Sequence, residues 1–141
     1  MLRNAKDLAA LRARCHTTLL DDGYGSVHPD SDGDLFFKCE ARSYCLVFDE
    51  GDPSYLRVLF PNFWSIDSAD EEERARAAAE EVSSSCKCTR VLIKNENAWV
   101  LVETLVTDVD SADGALVRRL VSMAQTAVAV FVEHMRAGAK S

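Results

Sequence analysis

Five short runs of this chain alternate side chains with a period of two, and no regular helical crossovers join them in the manner of a parallel α/β fold. Leu35, Phe37 and Cys39 alternate with Phe36, Lys38 and Glu40. Tyr44, Leu46 and Phe48 alternate with Cys45, Val47 and Asp49, and Leu56, Val58 and Phe60 with Tyr55, Arg57 and Leu59. Period two with aromatic and β-branched enrichment is the pattern of a strand. Two further strands are expected over residues 88–94 and 98–106, joined by a turn at Asn95-Glu96-Asn97. In the last of them Val100, Val102, Thr104 and Val106 share one face, and Trp99, Leu101 and Leu105 share the other. That strand should lie inside the sheet or be covered on both sides. Glu50-Gly51-Asp52-Pro53-Ser54 marks a turn. Pro61 has no N–H for a ladder and should end the third strand.

Helical spacing frames these runs. Leu8, Leu11, Cys15 and Leu19 fall on one face of a helix over residues 4–20. A polar segment over residues 23–33 follows and reads as a loop. Ser68, with Glu71 three residues on, has the form of a capping box, and Asp70 to Glu73 put negative charge at the positive end of the helix dipole. The stripe of that helix is small: Ala75, Ala78, Ala79 and Val82. A final helix is expected over residues 111–136. The order α-β-β-β-α-β-β-α implies an α+β domain, an antiparallel sheet with helices packed on it. At 141 residues the chain should form one domain, 1–141, since domains run to about 100–200 residues.

The last helix carries two apolar stripes. Leu116, Leu120, Met123, Ala124, Ala127 and Phe131 make one; Val117, Val121, Val128, Val132 and Met135 make the other. Two apolar sides need two partners. One is the sheet. The second is a partner chain, which makes a homodimer the expectation, or the first helix of the same chain. Its longest nearly uncharged run, residues 120–132, is shorter than the about 20 residues of a membrane span.

Charge narrows the function. Sixteen basic and 23 acidic side chains leave a net charge of −7. That balance argues against nucleic acid and against an anionic membrane surface as partners. The first twenty residues carry charges throughout and lack the apolar core of a signal peptide, and the five cysteines are odd in number. A cytoplasmic protein with reduced thiols is expected.

The candidate chemical motifs are weak. Asp30-Ser31-Asp32-Gly33-Asp34 resembles a calcium loop, but its glycine comes one position early and position twelve is Ala41. Cys86-Lys87-Cys88 lacks the second ligand pair of a zinc site, although Lys87 could lower the pKa of a neighbouring thiol. In the first hairpin, a turn at Ala41-Arg42 pairs Cys45 with Lys38 and points Cys39 and Cys45 to opposite faces, so no disulfide is expected. Cys15 and His16, adjacent on a helix, do not face one another. No phosphate loop, nucleophile elbow or metalloprotease motif is present. No enzyme, cofactor or metal is expected.

One segment stands out. Pro61-Asn62-Phe63-Trp64-Ser65-Ile66 links a strand to a helix, yet it is rich in large apolar side chains. Either these fold back over the core or they offer a patch to another protein. Phe63, Trp64 and Ile66, with Val121, Val128 and Val132 on the last helix, are the candidate protein-binding or dimer surface.

Three stretches resemble the YbjN family of bacterial sensory transduction regulators: Leu35-Phe36-Phe37-Lys38 through Arg42; Leu59 through Ile66 with the acidic-to-alanine helix that follows; and Trp99 to Glu103. The resemblance runs from about Asp34 to the end of the last helix. It implies a fold related to type III secretion chaperones, often dimeric, and carries no catalytic residues. On that resemblance the chain is a regulator or adaptor that binds protein. The alternative is a chaperone holding an extended segment of an exported protein.

Overall fold

The structure is a computed structural model that describes residues 2–139. Helix α1 (Ala5–Asp21) is followed by four strands, β1 (Gly25–Pro29), β2 (Leu35–Cys39), β3 (Arg42–Phe48) and β4 (Tyr55–Ser65). Helix α2 (Ala69–Ser85), strands β5 (Thr89–Lys94) and β6 (Asn97–Leu105), a 3-10 turn (Val109–Ser111) and helix α3 (Gly114–Ala139) complete it. All pairings are antiparallel, in the order β1-β2-β3-β4-β6-β5. The α+β class and the predicted order of elements hold, with one strand more. As expected, β6 lies inside the sheet, between β4 and β5.

The added strand is β1, in the stretch read as a loop. It is an edge strand with no apolar alternation, and Ser26 breaks its pairing with φ +51°. The acidic motif forms the turn into β2. Asp30 Oδ1 accepts from the backbone N–H of Asp32 at 2.9 Å and of Asp34 at 3.0 Å. Asp34 Oδ1 in turn accepts from Phe48 N at 3.0 Å.

Pro61 does not end the third predicted strand. The ladder shifts register between Phe60 and Trp64, with Asn62 at φ +52°, and resumes with Trp64 opposite Ala98. A bulge is one of the few places inside a sheet that tolerates a residue without an N–H. In the β2–β3 hairpin the turn is Glu40-Ala41, at φ +53° and +65°, and Cys39 pairs with Arg42. The register is two residues from the expected one. An even shift preserves the faces, so Cys39 lies with Phe37 and Cys45 lies on the opposite side. The last hairpin is also tighter than expected, with Asn95-Glu96 as its turn and Asn97 paired to Lys94.

One face of the sheet carries Leu35, Phe37, Tyr44, Leu46, Phe48, Leu56, Val58, Val100 and Val102, and these share a single core with α1, α2 and α3. Leu8, Leu11, Cys15 and Leu19 bring α1 into it. The alanines of α2 allow close approach to α3, where Ala124 and Ala127 are fully buried. Both stripes of α3 are used within the chain: α3 meets β4, β5, β6, α2 and α1. Helix α3, 26 residues long, is apolar enough by length and composition to cross a membrane. Here its Val117, Leu120, Val121, Ala124, Ala127, Phe131 and Met135 are buried in the core.

Phe131 is fully buried, 5.0 Å between ring centroids from Phe63 and 5.9 Å from Trp64, edge-on to both. Truncating it opens a cavity between α3 and the β4 bulge. Phe131→Ala should destabilise the protein by about 3–5 kcal/mol. Urea unfolding should show a lower midpoint at unchanged slope.

Candidate docking surface

The residues singled out from sequence do not form one surface. Phe63 and Trp64 are half-buried and pack on the core through Phe131, and Ile66 is only 6 % exposed. The bulge turns two successive aromatic residues to the same side. On α3, Val121 is 4 % exposed, while Val128 and Val132 are half-buried. The outward positions of α3 are instead Arg118, Arg119, Ser122, Thr126, Ala129 and Glu133. Ile66 and Val121 are therefore core residues, while Val128 and Val132 leave part of the second apolar stripe of α3 open to solvent. Of the two readings of the aromatic segment, it folds back over the core.

Trp64 is anchored at both ends. Its ring meets Phe131, and its Nε1 donates to Glu71 Oε1 at 2.8 Å. Glu71 Oε2 accepts from Asp67 N at 3.3 Å, and Ser68 Oγ accepts from Glu71 N at 3.1 Å. Only half of the expected capping box forms, because Glu71 turns to the indole. The complete box is at α1, where Asn4 and Asp7 bond reciprocally. Glu71→Ala should cost about 1 kcal/mol in urea unfolding, and Glu71→Gln, which keeps an acceptor, should recover most of it.

The unpaired apolar surface lies on the other side of the sheet. Phe36, Cys45, Val47, Leu59, Trp99 and Leu101 point away from the helices, and none belongs to the core they share. Register places His28, Phe36, Cys45, Leu59, Leu101 and Arg90 in one row across all six strands. His28 stacks on Phe36 at 5.6 Å. Cys45 and Leu101, at the middle of the row, are each 3 % exposed. Leu92 and Leu105, on the same face, are 38 % and 64 % exposed. An open concavity of about 390 Å³ at the Leu105 end is lined by Tyr55, Cys88, Glu103, Thr104 and Leu105. With strands about 4.8 Å apart, the face is about 24 Å wide and covers on the order of 500 Å². That area includes the charged side chains; its accessible apolar part is Leu92 and Leu105 with the half-buried Phe36, Val47, Leu59 and Trp99.

Its charge is opposite to that of the chain. The strands present Lys38, Arg57, Arg90 and Lys94 here against Glu103, and the β1–β2 turn adds Asp30 and Asp34 near Cys45. Glu103 accepts from Arg90 Nε at 2.7 Å and from the Tyr55 hydroxyl. The Arg57 guanidinium carbon lies 5.9 Å from the centre of the Tyr55 ring. Arg57 Nε and Trp99 Nε1 are buried donors without an acceptor. Sequence reading had each strand's second face in view but assigned it no role.

The thiols do not build a chemical site. Among the described residues, no three His, Cys, Asp or Glu side chains are grouped to hold a metal ion. The cysteines are all unpaired, with Cys88 exposed. Cys86 is shifted up by burial and then by Glu81, the opposite of the lowering expected from Lys87. Burial pushes the thiols of Cys15 and Cys45 from 9.0 up to about 12. The sequence matches no family model, no curated protein and no solved structure.

The two high thiol pKa values fix a sign. The native state keeps protons that the unfolded chain releases near 9, so their stabilisation is complete below that pH and is lost as pH rises toward 12. The urea midpoint should be flat up to pH about 8 and fall above about 9. Alkylation followed by intact mass should modify Cys88 first and leave Cys15 and Cys45 protected until unfolding.

Proposed function

We propose that this protein is a non-enzymatic, protein-binding regulator or adaptor of the YbjN type, acting in bacterial sensory transduction or stress regulation in the cytoplasm. One observation carries the reading: an apolar sheet face that the chain's own helices leave uncovered. An antiparallel sheet commonly leaves one face to water, and where that face carries large apolar side chains it is a candidate surface for a partner. The docking surface is thus moved from Phe63, Trp64 and Ile66 to the row from Phe36 to Leu101.

The secretion-chaperone reading draws on a different feature. Strand β5 ends the sheet and pairs on one side only. An extended segment of an exported protein could add to that edge by backbone hydrogen bonding. The two readings separate by the conformation and position of what is bound.

Site-specific photo-crosslinking in the source cells tests the proposal. A crosslinker at Val47 or Leu105, on the open face, should give adducts of discrete mass with another protein. The same group at Thr126 or Ser85, on the helical side, should give none. Adducts from the helical side alone would sink the reading, and adducts confined to β5 would favour the chaperone.

A further inference from the structure

We infer that the open sheet face docks an acidic segment of a partner protein, one whose apolar side chains alternate with carboxylates. This rests on the protein-binding reading and adds the chemistry of the partner. Three observations carry it. The first is charge complementarity. On a chain of net charge −7, the strands of this face carry Lys38, Arg57, Arg90 and Lys94 against Glu103, with the carboxylates of Asp30 and Asp34 near Cys45 at the β1–β2 turn. Lys38, Arg57 and Lys94 have no carboxylate within ion-pair distance among the described residues.

The second is the layout of the face. The apolar row runs through Phe36, Cys45, Leu59 and Leu101, with Lys38 to one side at β2 and Arg57 to the other at β4. Arg90 ends the row on β5, and Lys94 lies two residues beyond Leu92 on the same strand face. A segment that fills the row with apolar groups brings its flanking groups over cations. The third is the pair of orphaned donors, Arg57 Nε and Trp99 Nε1. A buried donor without an acceptor is costly. An arriving carboxylate supplies one after a small side-chain rearrangement.

A second copy of the chain is the poorer occupant. Face to face, two copies would bring the cations that flank one apolar row against those that flank the other, and like charges so placed are unfavourable. Nucleic acid is also disfavoured. It is a dense polyanion with no aliphatic groups to cover Cys45, Leu59 and Leu101, and the rest of the chain repels it.

The test uses the whole chain, ¹⁵N-labelled, and two synthetic peptides. One alternates Glu with Leu and Phe; the other has Lys in place of every Glu. The acidic peptide should bind and shift the amide signals of Phe36, Val47, Leu59, Trp99 and Leu101. Its affinity should fall about tenfold or more from low to high salt. The basic peptide should bind at least about tenfold more weakly. Lys94→Glu alone should narrow that preference, and Arg90→Glu with Lys94→Glu should reverse it. Both positions are exposed, so an unchanged melting temperature checks that the variants are folded.

Equal binding of both peptides, no binding, or shifts confined to the helices would overturn the inference. Dimerisation through this face in sedimentation, or tighter binding of a poly-uridine oligonucleotide, would overturn it too. The general reading fails separately. If the open face crosslinks to another protein in cells while the acidic peptide does not bind, only the partner's chemistry is wrong. If the face does neither, both fall.

Discussion

The contact on which this architecture most depends is a run of stacked and edge-on rings. Tyr24 meets Phe37, Phe37 meets Tyr44, Tyr44 meets Phe60, and Phe60 meets Phe63, with centroids 4.9–6.0 Å apart. Phe63 and Trp64 then close on Phe131 of α3. The run crosses the sheet from β2 to β4 and ends on the last helix. It needs the bulge at Pro61 and Asn62, because a regular strand would point Phe63 and Trp64 to opposite faces. One irregularity in one strand thus commits α3 to one side of the sheet. The other two helices join the same core, and the opposite face stays open.

That one-sidedness also separates charge. Acidic side chains gather on α2, in Asp70, Glu71, Glu72, Glu73, Glu80 and Glu81, and in the turns around Asp30 and Asp49. The strands keep four cations for the open face. The chain is therefore acidic as a whole and basic on one side. A net charge of −7 read from composition argues correctly against a protein covered with cations. It conceals the side on which the cations are collected.

Much of the fold was legible in the sequence because burial imposes a period. The strands from Leu35 on, α2, and the core stripe of α1 follow directly from which side chains must leave water. Three features were not legible, each for a physical reason. Strand β1 is an edge strand held by backbone pairing, so it needs no apolar alternation. The continuation of β4 past Pro61 depends on a bulge that the local sequence marks as a stop. The second apolar stripe of α3 divides, with Val117, Val121 and Met135 covered within the chain and Val128 and Val132 half-buried, a split that periodicity does not report. The site was half legible. Phe36, Val47, Leu59 and Leu101 could be read as a second face of their strands. Placing them in one row required the register of all six strands.

A sheet with apolar side chains on both faces and helices on one is an incomplete layer structure. Cys45 and Leu101 show how the chain tolerates this alone: at the centre of the open face they are only 3 % exposed each, while the margin at Leu92 and Leu105 remains wet. Such a face can stay soluble unbound and still release water when covered. The charge pattern then selects orientation. On the docking proposed above, an acidic segment would be disfavoured near the carboxylates of α2 and favoured near the cations of the strands. The same field works against two sheet faces approaching one another. On that proposal apolar area would supply affinity, and the surrounding cations would decide what uses it.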